Sequence, residues 1–181
     1  MKIIILFSLI TLFSCKSDEE LISEFSKEII NGIKNKDSEK IYSLFISPEE
    51  TALYGFLDGS VSSDEMSNLK SSDELVELII QKGTKNKPNE IKYINESIAY
   101  FHTLFDWKKV KYVKTESVLV ESKKVSNMKN KLKVDSDIYD LKIIVELNDK
   151  KVYSLKINKA MKLNGRWGIF PLHSFGIEIE E

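Results

Sequence analysis

The hydrophobic period of this chain changes once, at Trp107, and that change limits what it can fold into. Between Glu90 and Asp106, Ile91, Ile94, Ile98, Phe101 and Phe105 recur at spacings of three and four, which puts them on one face of a helix. After Trp107 the pattern alternates. Val110, Tyr112, Val118 and Val120 interleave with polar residues, then Tyr139, Leu141, Ile143, Val145 and Leu147, then Tyr153, Leu155 and Ile157 with Met161 and Leu163. Alternation puts successive side chains on opposite faces of a strand. Asn148-Asp149-Lys150 reads as a turn, and Asn164-Gly165 is a strong two-residue hairpin signal because both turn positions favour positive φ. Trp167, Ile169 and Phe170 form the last strand. A meander with one apolar face needs a cover, and the helices ahead of it are the only candidates. The class expected is α+β, with N-terminal helices packed on a C-terminal curved antiparallel β-meander.

The helical half is punctuated. Leu21, Phe25, Ile29 and Ile33 predict a helix over 21–34, with Gly32 weakening its last turn by about 1 kcal/mol relative to alanine. Asn35-Lys36-Asp37-Ser38 breaks the chain, and a second helix carries Ile41, Leu44 and Phe45. Ser47-Pro48-Glu49-Glu50 is a capping box with proline at the first helical position, which should start a third helix through Leu53, Phe56 and Leu57. Ser71 and Glu74 form another box, leading into a helix stopped by Gly83. Thr84 to Asn89, which includes Pro88, reads as a loop. In the helix of residues 90–106 a second set, Tyr93, Tyr100, Leu104 and Trp107, widens the apolar stripe past half the circumference. Such a helix should be wedged between layers.

The first twenty residues address the chain. Lys2 is followed by an apolar run from Ile3 to Phe13, and Lys16, Asp18, Glu19 and Glu20 come soon after Ser14. The run is shorter than the roughly 20 apolar residues a spanning helix needs, and its layout is that of a secretory signal. Cys15 is the chain's single cysteine, so it has no intrachain disulfide partner. The 27 basic and 28 acidic side chains leave a net charge of −1, which gives no basic excess for nucleic acid. Hydrophobic residues make up 42% of the chain, enough for the core of one ordinary domain.

Leu12-Phe13-Ser14-Cys15 resembles the lipobox of bacterial lipoproteins, with leucine at −3, a small residue at −1 and cysteine at +1. The resemblance implies cleavage before Cys15 and acylation (palmitate-type chains) of its thiol and new amino group. Lys16-Ser17-Asp18-Glu19-Glu20 resembles the acidic export signal of some surface-exposed outer-membrane lipoproteins. The organisation expected is a signal peptide over 1–14, an acidic lipid-anchored tether over 15–20, and a single domain over 21–181. The helix–Asn-Lys-Asp–helix of residues 24–45, and the strand–Leu163-Asn164-Gly165-Arg166-Trp167–strand of residues 151–170, resemble the nuclear transport factor 2-like (cystatin-like) superfamily. That likeness implies a cone whose helices and concave sheet enclose a pocket. In some members the pocket is catalytic, and in many it only binds ligands or partners.

Residues with catalytic potential are sparse. His102 and Asp106 share a helix face, but that face is polar and a solvated ion pair accounts for them. His173 stands alone, and Asp140, opposite Tyr139 in its strand, is expected to be solvated. Two distant histidines do not make a zinc site, and no metal or other cofactor is expected. No glycine-rich phosphate loop or Gly-x-Ser-x-Gly elbow occurs. Tyr93, Tyr100, Trp107, Tyr112 and Trp167, with Tyr153, form a candidate ligand pocket for an apolar or sugar-like molecule, although aromatics at helical spacing are more simply read as core. The expectation is a non-enzymatic, lipid-anchored binding domain at the cell envelope, partnered by the membrane and by an envelope protein or small apolar ligand. The alternative is a small enzyme of the same fold using an acid–base pair in the cone.

Overall fold

The computed structural model describes residues 16–48, 50–51, 72–127, 132–147, 150–163, 165–170 and 178–180. Helix α1 (Asp18–Asn35) starts earlier than the period alone predicts, inside the stretch expected to be tether. The reason is a complete capping box: the Glu20 amide donates to Ser17 Oγ at 3.2 Å, and the Ser17 amide donates to the Glu20 carboxylate at 2.9 Å. Asp18, Glu19 and Glu20 fill the first turn, where the helix dipole favours negative charge. Ile22, Phe25, Ile29, Ile30 and Ile33 are buried along one face. Lys36, left-handed at φ 54°, ends the helix. Gly32 lets the next element in: a Cβ there would lie 2.5 Å from Ile41 Cγ1.

Helix α2 (Ser38–Tyr42) is capped by Asp37, whose carboxylate accepts from the Lys40 amide at 2.9 Å. Leu44 and Phe45 were expected to continue this helix. Instead the chain turns out to meet the sheet. The Ile46 amide donates to the Ile169 carbonyl and the Ile169 amide to the Leu44 carbonyl, both at 2.9 Å. The box at Ser47 forms as expected, with Glu50 and Ser47 bonded reciprocally. The rest of the third helix expected there, Cys15 and His173 lie outside the described residues.

Helix α3 (Ser72–Leu104) runs unbroken through Pro88, where the sequence reading placed a loop. A proline inside a helix costs about 3 kcal/mol through a lost hydrogen bond and a clash. The segment is helical nonetheless, and it touches the preceding elements: Lys87 pairs with Glu39 at 3.3 Å and lies over the Tyr42 ring, and Gly83 packs on Pro48. Residues 84–86 and 88–89 are exposed, so water can serve the carbonyl that loses its partner. Nor is this helix wedged between layers. Ile94, Ile98 and Phe101 are buried, whereas Tyr93, Tyr100 and Leu104 are exposed, so it lies on one layer. A short 3-10 turn (Trp107–Lys109) leads into the sheet.

The strands are β1 (Lys111–Asn127), β2 (Leu132–Glu146), β3 (Val152–Leu163) and β4 (Arg166–Ile169), antiparallel and neighbours in chain order; a short β5 (Glu178–Glu180) also pairs with β3. Gly165, at φ 84°, occupies the tight β3–β4 turn as its sequence predicts. Leu141, Ile143, Val145, Leu155 and Ile157 form the inner face, packed in one cluster with α1, α2, α3 and Trp107. Ile46, Met161 and Leu163 form a smaller second cluster.

The sheet is open and flat, which overturns the expected curved, cone-like meander and with it the likeness to the nuclear transport factor 2-like superfamily. β4 is four residues long, pairs with the end of β3 and on its other side meets only the short segment around Phe45, so the sheet lacks the extent to wrap round the helices. At the other edge β1 is longer than its neighbours, ~55 Å at about 3.3 Å per residue. Beyond Ser136, β2 leaves β3 and only the β1–β2 ribbon continues. Val118, Leu119 and Val120 on β1 are consecutive and all exposed, so both sides of the sheet face water there. An enclosing cone would bury one of them.

Candidate functional site

The site is a cleft of about 410 Å³ where the first turns of α1 face the start of β1. Asp18, Glu19, Ile22 and Ser23 come from α1. These positions, i, i+1, i+4 and i+5, share a helix face. β1 supplies Tyr112 to Thr115 and Ser117, β2 supplies Tyr139, and β4 supplies Trp167.

The walls are held by contacts that reach out of the cleft. Thr115 Oγ1 donates to Ser26 Oγ at 2.7 Å, tying β1 to α1, and the Tyr112 hydroxyl lies 3.2 Å from the same Oγ1. Lys27 lies 5.2 Å from the Tyr112 ring centroid. The Lys162 ammonium donates to Asp18 Oδ2 at 2.7 Å, and that bond holds Lys162 above the ordinary lysine range. Burial, with the nearby Asp137 carboxylate, pushes the Tyr139 phenol above its usual range. The Trp167 ring lies 4.9 Å from that of Tyr139 and 6.4 Å, stacked, from that of Phe25.

Trp167 is the chemical anomaly of the site. The residue is 8% exposed, and its indole Nε1–H is sealed from water with no hydrogen-bond partner among the described residues. A buried donor left unpaired costs about 1–3 kcal/mol. The other tryptophan shows the ordinary solution: Trp107 is fully buried and its Nε1–H donates to the Phe101 carbonyl at 2.8 Å.

Of the five aromatics expected to line a pocket, the fold brings Tyr112 and Trp167 into one cleft and disperses the rest. Tyr93 and Tyr100 are 55% and 61% exposed on α3, and Trp107 is core. Tyr153 packs against Phe105, 5.1 Å away. The missed members are Asp18 and Glu19, read as tether, and Tyr139, read only as a strand residue. Two signals point to them: the helix face shared by positions 18, 19, 22 and 23, and the capping box that extends the helix back to Asp18.

His102 and Asp106 form neither a dyad nor an ion pair. His102 Nε2–H donates to the Ile33 carbonyl at 2.8 Å. Asp106 accepts from the Lys108 amide at 3.1 Å and pairs with Lys109 at 3.4 Å; the Lys108 amide leads in holding its carboxyl below the usual range. Asp140 does more than meet solvent: its carboxylate accepts from the Lys159 amide at 3.2 Å, where β3 bulges and Lys159 takes a positive φ. Among the described residues no cluster of three or more histidine, cysteine or acidic side chains is placed to hold a metal, and no helix is long and apolar enough to cross a membrane. No known family model, curated protein or solved structure matches the chain.

Proposed function

We propose that this chain is a lipoprotein of the bacterial cell envelope, acylated on Cys15 and held on the outer membrane, whose domain captures a small ligand in the cleft beside α1. The residues at 12–15 support the anchor. The acidic residues at 18–20 suit a surface-facing position, although in the folded domain they also start α1. One observation carries the binding reading: the cleft has aromatic and polar walls, and one of its lining residues, Trp167, has a buried Nε1–H with no hydrogen-bond partner among the described residues. Binding sites of this kind combine apolar walls with a few directed polar groups.

The two parts of the reading fit one another. Asp18 follows Cys15 by three residues, so its backbone lies within about 10 Å of the acylated residue at full extension. The cleft would therefore work close to the lipid headgroups, and an attached cysteine with several acyl chains would not leave the membrane on the timescale of ligand exchange.

Metabolic labelling with a palmitate analogue, on the native chain and on Cys15→Ala, tests the anchor. Label and membrane association should both disappear in the variant; retention of both overturns the anchor. Native mass spectrometry of the protein taken gently from its own envelope tests the cleft. A discrete small-molecule adduct supports it. A stoichiometric protein adduct, with no small molecule, replaces it with an interaction module.

A further inference from the structure

We propose that the exposed apolar run Val118-Leu119-Val120 of β1 rests on the lipid interface that holds Cys15, so that the anchored domain lies with the outer edge of its sheet towards the membrane. This rests on the acylation of Cys15 and adds the orientation of the domain.

The run is a patch, not a scatter. Val118, Leu119 and Val120 are 66%, 51% and 55% exposed. Apolar side chains scattered singly on a surface need no explanation, whereas contiguous ones mark a contact. β1 has a strand neighbour on one side only. Its register against β2 slips between Tyr112 and Lys114 and again between Leu119 and Glu121. The extra residues are Val113 and Val120, both exposed. A bulge bends its strand and re-aims a side chain. It also spoils an edge for pairing with another sheet, so a further strand or a second copy is a poor occupant. A fluid apolar medium makes no demand on register.

The fold turns this run towards the anchor. Lys162 donates to Asp18 at 2.7 Å, and Lys162 lies opposite Asp137, which lies opposite Ser122. Asp18 is therefore tied to the Ser122 row of the sheet. Ser26, further along α1, is bonded to Thr115 at 2.7 Å. From Ser26 back to Asp18, α1 runs about 12 Å in the direction that β1 takes from Thr115 to Ser122. The apolar run lies between those two points, and Leu119 opposes Tyr139, which lines the cleft with Asp18. Three residues separate Asp18 from Cys15, about 10 Å of chain at most, so the acyl chains reach the end of the domain that carries the run.

Charge does not decide this contact. Lys123, Lys124 and Lys133 lie beyond the Ser122 row, but Glu19, Glu20, Glu121 and Asp135 stand at the same end. The contact is apolar and needs no anionic lipid. A few such side chains would hold a free domain on a bilayer only weakly. With Cys15 in the membrane the contact becomes intramolecular, at an effective concentration on the order of millimolar, and a weak contact suffices. The backbone groups on the open edge keep the strand at headgroup level, because hydrocarbon would leave them unsatisfied.

The test places one nitroxide at Val118→Cys and, in a second variant, at Val152→Cys, which is similarly exposed at the Lys111 end of the sheet. Cys15 is the only native cysteine, so once it is acylated the label has one thiol to take. Each acylated variant is reconstituted in phosphatidylcholine vesicles. Flotation reports the anchor, and electron paramagnetic resonance reports access of oxygen and of a water-soluble nickel complex to the label. Both variants should float. The label at 118 should gain oxygen access and lose nickel access, while the label at 152 stays in water. In a Leu119→Ser, Val120→Ser background the label at 118 should return to water. Floating protein whose label at 118 stays open to nickel, or whose two labels are shielded alike, overturns the orientation and leaves the anchor standing. A label that stays shielded in the double-serine background is inserting by itself and also overturns it. Protein that does not float overturns the anchor and this inference with it.

Discussion

Arg166 joins the last hairpin to the segment that follows α2: its guanidinium pairs with the Glu50 carboxylate and also donates to the Phe45 carbonyl at 3.1 Å. Burial alone would raise the Glu50 carboxyl, but the bonds from Arg166 and Ser47 outweigh it and leave the carboxyl below its ordinary value of 4.5. A carboxyl depressed in the folded state stabilises fully above its unfolded value and loses that contribution as pH falls through the folded one. Urea midpoints should therefore decline as pH drops below about 4.5. Glu50→Gln should flatten that decline. Because Arg166 is part-exposed, the pair's coupling in a double-mutant cycle should stay under about 1 kcal/mol at neutral pH.

Gly32→Ala sets two effects against each other. Alanine favours the helix by about 1 kcal/mol. The added Cβ would lie 2.5 Å from Cγ1 of Ile41, which is completely buried. Overpacking of this kind costs roughly 1–3 kcal/mol. Packing wins, and the variant should be less stable by about 1–2 kcal/mol in chemical denaturation. A more stable variant would show that α2 can slide away from α1.

Ser17→Ala removes one half of the α1 capping box and should cost about 1 kcal/mol. Hydrogen exchange should speed up in the amides of residues 19–21 and stay unchanged in β2 and β3.

The two tryptophans should respond in opposite ways to loss of their N–H. Trp107→Phe leaves the Phe101 carbonyl without its indole donor and opens space in the core, at a cost of about 2–4 kcal/mol. Trp167→Phe loses packing too, but it also removes an unpaired donor whose burial costs about 1–3 kcal/mol. The net change at Trp167 should lie within about 1 kcal/mol of zero. Equal losses in the two variants would mean that the Trp167 N–H is satisfied in solution.

The helix-then-meander order was legible because period carries it. Ile29 and Ile33, Leu155 and Ile157 all lie on the faces their spacing predicts, and Asn164-Gly165 predicts its turn. What period does not carry is where a long-range contact prevails. Pro88 reads as a break, yet the helix runs through it, with Lys87 in contact with Glu39 and Tyr42. Tyr93 and Tyr100 look like core by spacing, but both side chains are exposed on α3. Flatness was illegible for a similar reason: alternation is identical in a flat and a curved sheet. Part of one cleft wall was hidden because Asp18 and Glu19 have the composition of a solvated tether, and only the cap at Ser17 reveals them as helix.

The bonds between Leu44, Ile46 and Ile169 also fix when this fold can close. Each hairpin of the sheet joins neighbours in the chain and can form as soon as its second strand exists. The clasp at Ile169 joins segments far apart in the chain, and its second half is made long after α1 and α2. A polypeptide emerging N-terminus first must hold its early helices without their final partner until β4 arrives. Such a chain stays loose through most of its synthesis, and it locks only once almost all of the described domain has been made.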